Sequence, residues 1–258
     1  LRSMKIVSYN LNGIRSAMSK GLVDFMQQEK ADVYCFQEVK ANLDQIEPFL
    51  FEVIGYPNHY WLSAQKKGYS GVAIFCKNKP SHIEIGFGNP YWDAEGRIIR
   101  ADFGDLSIIS VYMPSGSSGD ERQAFKMVWL DYFMNYISEL RKTRPNLIIC
   151  GDYNICHKPI DIHDPISNKN SSGFLPEERE WMQQFMNSGF TDTFRHFNKA
   201  PHQYSWWSYR ANARNNNKGW RIDYCLSTSN LDAKLLDAGI LPNAKHSDHC
   251  PVWVEFEA

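Results

Sequence analysis

Several features are scarce or missing in this chain, and each shortage removes a class of protein. None of the six cysteines belongs to a CxxC pair, and there is no HExxH segment or Cys/His ligand spacing; SDHCPV holds Asp, His and Cys but has no second such cluster, so zinc is the weaker expectation. Cys35, Cys76, Cys150, Cys156, Cys225 and Cys250 lie mostly inside or beside apolar runs such as VYCF, AIFC and LIIC. That setting suits buried, reduced thiols better than a disulfide framework. No apolar run approaches the ~18 residues needed to span a bilayer, and the first residues lack a signal-peptide core, so a membrane role is not expected. Internal repeats, low-complexity tracts and Pro/Gly/Ser linkers are also missing, which leaves a single domain as the economical reading. Charge of one sign is missing too: 28 Lys and Arg stand against 29 Asp and Glu, for a net charge of −1. A nucleic-acid binder usually shows a basic excess, so the sum argues mildly against one unless acids and bases are segregated in space.

What is present is ordinary globular material. The chain has 258 residues, 43% hydrophobic and 22% charged, enough for a sizeable core without disulfides or structural metal. Leu1, Arg2 and Ser3 precede a plausible initiator Met4 and read as an appended remnant, leaving 4–258 as the domain. Strand-like runs cover Lys5–Tyr9, Asp32–Phe36, Val72–Cys76, Ile98–Phe103, Leu106–Tyr112, Leu147–Cys150, Arg221–Leu226 and Pro251–Phe256. The Gly-Asp turn between the fourth and fifth of these predicts an antiparallel hairpin, whereas the second comes after a helix-like stretch. A helix is expected from Asp120 to about Lys142, its stripe formed by Phe125, Val128, Trp129, Tyr132, Phe133, Tyr136, Ile137 and Leu140. A second begins at Pro176 and stops before Gly189, burying Trp181, Met182, Phe185 and Met186. The pattern implies a mixed-sheet sandwich with helices outside.

Polar side chains gather where the apolar runs stop. IVSYN ends at Asn10, VYCFQE at Glu38, and LIICGDYN at Asp152 and Asn154, while Ser247, Asp248 and His249 directly precede PVWVEF. Any one of these is ordinary as a loop residue, but strands of one sandwich can bring all of them to one rim. Carboxylate and amide oxygens without thiolates suit a hard cation such as Mg²⁺, with Mn²⁺ as a substitute. Asp223, in RIDYCL, sits on a strand face and needs a partner: either an arginine or the ring of His249.

Taken together, SYNLNGIRS, FQEVKA, GYSGVAIF, EGRIIRADF, SVYMPSGS, ICGDYNICH, SGFLPEERE, YSWWSYRANAR, GWRIDYCL and SDHCPVWVEF resemble the exonuclease III-like apurinic/apyrimidinic endonucleases of the DNase I-like superfamily. The resemblance runs the length of the chain in family order. It implies an α/β fold, a four-layer αββα sandwich of two mixed β-sheets flanked by helices. It also implies Glu38 as principal metal carboxylate with Asn10 and Asp248 nearby, and Asp152, Asn154 and His249 within reach of the ion. Asp152 matches the residue that orients or deprotonates the attacking water, Asn154 its amide neighbour, Asp223 and His249 the acid and imidazole pair, and Tyr112 the phosphate-contacting tyrosine. The implied reaction is hydrolysis of the phosphodiester on the 5′ side of an abasic site, leaving a 3′ hydroxyl and a 5′ deoxyribose phosphate, with some 3′–5′ exonuclease and 3′-repair activity.

Between Lys199 and Arg221 lie Lys199, Arg210, Arg214, Lys218 and Arg221 without an acid, interleaved with Tyr204, Trp206, Trp207, Tyr209 and Trp220. Such a strip can neutralise phosphates, while Trp206 and Trp220 can wall a pocket for a sugar lacking its base. Arg15, Lys40 and Tyr69 are further DNA-contact candidates, with Lys66, Lys67 and Arg97 behind them. The expected partner is duplex DNA with an abasic site or damaged 3′ end, met by a monomer in a cytoplasmic, bacterial-like setting, a nuclear one staying open. The competing readings are a phosphatase or phospholipid phosphodiesterase on the same scaffold and an inert DNA-binding module.

Overall fold

Runs that are apolar on both faces belong inside a sheet, and in this molecule they form the interior of two. The structure, a computed structural model, describes residues 2–258. In chain order its first half contains β1 (Ser3–Asn10), α1 (Ile14–Ser19), α2 (Leu22–Glu29), β2 (Val33–Gln37), α3 (Phe49–Glu52), β3 (Asn58–Leu62), β4 (Val72–Cys76), β5 (His82–Ile85), α4 (Pro90–Asp93), β6 (Ile98–Phe103), β7 (Leu106–Tyr112) and α5 (Asp120–Leu140). The second half adds β8 (Asn146–Asp152), α6 (Pro176–Asn187), β9 (Phe190–Asp192), α7 (Thr193–Phe197), β10 (Trp206–Trp207), β11 (Gly219–Trp220), β12 (Asp223–Thr228), β13 (Leu235–Ile240) and β14 (Val252–Glu257).

One six-stranded sheet has the order β13-β14-β1-β2-β4-β3 and the other β5-β6-β7-β8-β12-β9. Each contains one parallel pair, β1 with β2 and β7 with β8, and the remaining neighbours are antiparallel. The β6–β7 hairpin expected from the Gly-Asp turn is among them. The sheets stack through Ile6, Cys35, Ile74, Ile99, Ile108, Ile148, Cys225 and Val254, and all six cysteines are free and buried. Outside the first sheet, α1 to α3 cover Tyr34, Phe36 and Phe75; outside the second, α5 and α6 cover Ile109, Ile149, Tyr224 and Leu226. Each large side chain buried in this way contributes about 1.5–3 kcal/mol, so the four layers are held by ordinary apolar burial.

The observed α5 stripe differs from the expected one at Lys126, Val128 and Leu130. Val128 is 57% exposed, whereas Lys126 is fully buried among Trp129, Leu130, Phe133 and Ile137. The residues set aside at the start of the chain also take part: Ser3 pairs with Glu257, and the Arg2 carbonyl accepts from the Ala258 amide. Leu1 lies outside the described residues.

The two parallel pairs end together. Asn10 is in register with Gln37 at the close of β1 and β2, and Tyr112 with Asp152 at the close of β7 and β8. Asp223, opening β12, lies opposite Asp152. Gly151 makes the last step of β8 possible: its φ is 156°, and a Cβ there would stand 1.9 Å from the Val111 carbonyl oxygen. Any side chain at 151 would force β8 away from β7 and carry Asp152 with it.

Candidate active site

Residues at these strand ends, and in the loops leaving them, build the site. Glu38 comes directly after β2 in a left-handed conformation, φ 47°, which turns its side chain onto the rim. Its Oε1 accepts from Asn10 Nδ2 at 3.0 Å, and the same amide donates to Asp152 Oδ2 at 2.9 Å. Asn10 Oδ1 accepts the Asn12 amide at 2.9 Å. A backbone N–H can only donate, so the oxygen must face Asn12 and the NH₂ must face the carboxylates. Asn10 therefore ties Glu38 of one sheet to Asp152 of the other through its NH₂, and places its oxygen against the Asn12 amide.

Asp152 Oδ1 accepts the Asn154 amide at 2.9 Å, and Asn154, also left-handed at φ 51°, donates its side-chain amide to the Met113 carbonyl at 2.8 Å. Asp223 Oδ2 receives His249 Nδ1 at 2.8 Å and Ser205 Oγ at 2.7 Å, while Oδ1 is buried with no partner. The imidazole, and not Arg221, is thus the partner Asp223 needed. Arg221 is buried against Asp161 and Asp192. Bonded to Asp223 through Nδ1, His249 presents Nε2 to Asp152 Oδ2 at 3.6 Å.

Burial and the neighbouring charge of Asp223 push Asp152 up to about 8. Burial alone would lower His249, but Asp223 and Asp152 outweigh it and raise the imidazole to about 10. With its proton affinity raised by these carboxylates, the ring is able to donate from both nitrogens, Nδ1 to Asp223 and Nε2 toward the cavity. Burial, and after it the Glu38 carboxylate, holds the Tyr112 phenol well above its ordinary value, so it stays protonated and able to donate. The Arg97 guanidinium lies 4.8 Å from the centre of the Tyr112 ring and donates to the Tyr112 carbonyl at 3.0 Å. Arg97 and Arg122 also donate to the Tyr69 hydroxyl, at 2.9 and 3.2 Å, so Tyr69 is fixed one residue away from Tyr112.

A cavity of about 860 Å³ opens onto this rim, lined among others by Glu38, Tyr112, Asp152, Asn154, Asp248 and His249, with Trp206 and Trp220 on one side. The two indoles face each other across the β10–β11 pair with ring centres 5.9 Å apart, nearly perpendicular. Trp206 Nε1 donates to Asp248 Oδ2 at 3.1 Å, fixing both. The other DNA-contact candidates lie outside the cavity lining. Arg15 is exposed and donates to the Lys40 carbonyl, Lys40 Nζ reaches Asn12 Oδ1 at 2.7 Å and Glu38 at 3.4 Å, and Arg210 is exposed. Arg214 is already engaged: it donates to the carbonyls of Ser247, Pro242 and Ala244 and stacks on Trp207. Arg214 and Arg221 thus both make internal contacts within what the sequence presented as one basic strip.

Glu38, Asp152 and His249 each offer an atom within 4.8 Å of the others, a grouping that can hold a metal ion. The donor set fits a hard cation: carboxylate oxygens without thiolate, one of them on a buried acid whose proton affinity is raised by burial and by Asp223. Asp248 lies beside this group, on the cavity wall.

Sequence reasoning missed four contributors. Ser205, which holds Asp223 and receives the Ile222 and Asp223 amides, is a small residue without a pattern of its own. Glu95 and Arg122 brace Arg97 and Tyr69; Arg122 is far from both in the chain, and Glu95, two residues before Arg97, gives no sign of its role by itself. Lys126 did leave a signal: it is a charge on an otherwise apolar helical stripe.

A sandwich of two mixed sheets with acids, amides and an imidazole at the joint ends of its strands defines a class, and the chain belongs to it: residues 7–249 match the endonuclease/exonuclease/phosphatase family. Among its relatives, an exodeoxyribonuclease of Bacillus subtilis (strain 168) is 41% identical over 253 residues, covering 96% of this chain and 98% of the relative. The DNA repair nuclease APEX1 of Danio rerio is 38% identical over 252 residues, covering 97% of this chain and 81% of the relative. Among solved structures, an AP endonuclease from Archaeoglobus fulgidus superposes with a TM-score of 0.89 at 30% identity, over 99% of this chain and all of that one (100%).

Proposed function

We propose that this protein is a DNA-repair nuclease that hydrolyses the phosphodiester on the 5′ side of an abasic site. The observation that carries the reading is the convergence, at one rim, of Glu38, Asp152, Asn154, Asp223 and His249 beside a cavity walled by Trp206 and Trp220. The substrate is duplex DNA with an abasic site or a damaged 3′ end, and the protein acts as a monomer. Among the described residues no helix is long and apolar enough to cross a membrane.

Breaking the strand brings an anionic nucleophile to an anionic phosphate, so developing charge must be cancelled. His249, kept protonated by Asp223, donates through Nε2 toward a phosphate oxygen. The Tyr112 hydroxyl and the second amide hydrogen of Asn154 supply neutral donors. Asp152, with Oδ1 held by the Asn154 amide, accepts the proton of the attacking water, a task suited to a carboxylate whose proton affinity is raised toward neutrality. Glu38 is the principal residue to hold Mg²⁺, or Mn²⁺ in its place, with Asp248 nearby; the ion supplies Lewis-acid neutralisation of phosphate charge. The indoles set selectivity, because the edge-to-face wall they form accommodates a sugar without a base and excludes an intact nucleotide.

The test is a labelled duplex with a single tetrahydrofuran residue, incubated with Mg²⁺ or with EDTA. Incision only with Mg²⁺, immediately 5′ to the lesion, is expected. Binding without cutting would mean an inert DNA-binding module, and cleavage of phosphomonoesters or lipid headgroups in its place would mean another branch of the scaffold.

A further inference from the structure

The charge buried on the apolar stripe of α5 has a specific task. Lys126 Nζ, with no exposed surface, donates to the Asn154 carbonyl at 2.7 Å and to the Glu178 carboxylate. Glu178, in the first turn of α6 and equally buried, uses its other oxygen to accept the amides of Gly173 at 2.7 Å and Leu175 at 3.0 Å. The Gly173 carbonyl in turn accepts the Cys156 amide at 2.8 Å. These contacts close a circuit in which the segment after β8, carrying Asn154, and the segment before α6, carrying Gly173, are held by one ion pair.

That circuit reaches both sides of the cavity. Gly173 has φ 97°, and a Cβ placed on it would lie 2.9 Å from the Trp220 ring and 3.3 Å from the Asn154 carbonyl oxygen. The backbone at 173 is therefore wedged between the indole that walls the pocket and the residue that orients the reacting end. Two elements that are distant in sequence share a single support. A pair of this kind is poor at adding net stability, because desolvating both charges offsets their attraction. It is well suited to fixing geometry, since neither charge can move without losing its partner. Asn154 sits in a left-handed conformation, and its carbonyl accepts a charge-assisted hydrogen bond that holds it there.

We infer that Lys126 and Glu178 are positioning residues that couple Asn154 to the Trp220 wall, so that the sugar pocket and the reacting end of the site keep a fixed relation. The inference rests on the nuclease reading above and deepens it. Glu178 is fully buried, and Lys126, at the inner edge of the cavity lining, spends its ammonium on Asn154 and Glu178. Loosening the pair lets the 154–156 and 171–175 segments shift independently, which lowers turnover much more than it lowers DNA affinity, since phosphate contacts elsewhere are untouched.

The experiment compares wild type, Lys126→Met and the double variant Lys126→Met/Glu178→Gln. The double variant removes both charges at nearly constant volume and avoids an unpaired buried carboxylate that could unfold the single one. Amide hydrogen exchange at Gly173 and Leu175 should quicken in both variants while the sheet interiors stay protected. Single-turnover incision of the tetrahydrofuran duplex should slow about 10- to 100-fold, the scale of a small misplacement of reacting groups, with binding changed less than about threefold. Unchanged exchange at Gly173 and Leu175, incision within about twofold of wild type, or a double variant unable to fold would each overturn the coupling; the last would make the pair a requirement of the whole fold. A wild type that leaves the abasic duplex intact sinks the nuclease reading instead, and the exchange measurement still decides the coupling.

Discussion

Replacing Asp152 by Asn should make the ion-free protein more stable while abolishing its chemistry. In the folded chain, burial and Asp223 raise this carboxyl to about 8 from an ordinary 3.8. A folded pKa above the unfolded one means that the acid's stabilising contribution is complete below the unfolded value and is lost as pH rises through the folded value. At pH 7 the wild type therefore carries a penalty of about three pH units, or about 4 kcal/mol at 1.36 kcal/mol per unit, which a neutral amide does not incur. Against this, Asn offers one oxygen where Asp152 accepts from two donors, Asn10 Nδ2 and the Asn154 amide. Leaving one of them facing an NH₂ costs about 1–3 kcal/mol. The net expectation is a stabilisation of about 1–3 kcal/mol in EDTA at pH 7, or roughly 2–8 °C in Tm for a chain of this size. Denaturant melts of both proteins from pH 4 to 8 test it. The advantage of the variant should be absent near pH 4, grow up to about pH 8, and shrink when Mg²⁺ is added to the wild type. A variant less stable than wild type at pH 7 without metal, or a difference independent of pH, would refute the electrostatic description of the site. Incision by the variant at the wild-type rate under single-turnover conditions would remove Asp152 from its role.

Three further outcomes are expected. Glu38→Gln, which removes the charge but keeps an acceptor for Asn10, should require about tenfold or more Mg²⁺ for half-maximal incision with a smaller change in maximal rate; an unchanged Mg²⁺ titration would displace Glu38 as principal ligand. Asp223→Asn takes away the foremost of the three carboxylates that raise His249 to about 10. Because the imidazolium is the active form, the alkaline loss of incision should move down by about one pH unit or more, and a pH profile superimposable on wild type would contradict the pairing. Arg214→Ala should lower stability by about 1–3 kcal/mol through its lost carbonyl contacts while leaving the salt dependence of DNA binding unchanged; a shallower salt slope would restore Arg214 as a phosphate contact.

Burial decides how much of this was legible in the sequence. The eight apolar runs recognised as strands are β1, β2, β4, β6, β7, β8, β12 and β14, the interior strands of the two sheets. All four edge strands, β3, β5, β9 and β13, escaped notice. Edge strands are half exposed and carry residues such as Asn58, His59, His82, Glu84, Asp237 and Gly239, which blur the alternation. β13 also contains a bulge between Leu235 and Asp237. Carboxylates, amides and imidazole of the site stood out because each adjoins an apolar run, and the rim was deducible from shared strand ends. Hydrogen-bond direction was not. Whether Asn10 offers oxygen or nitrogen to Glu38, and whether Arg214 faces a phosphate or a carbonyl, depends on neighbours that local sequence does not encode. Nor could the burial of Lys126 be interpreted without Glu178, which reaches it from another helix.

The central claim is that the Glu38–Asp152 rim holds a divalent ion at the point where the strand is cut. Diffraction data collected at the manganese edge, from crystals soaked in Mn²⁺, test it most directly. The account predicts an anomalous peak at about 2.0–2.2 Å from a Glu38 carboxylate oxygen, facing the cavity that holds His249 and Asn154. A peak at the Asp161–Asp192 cluster with none beside Glu38 would contradict it.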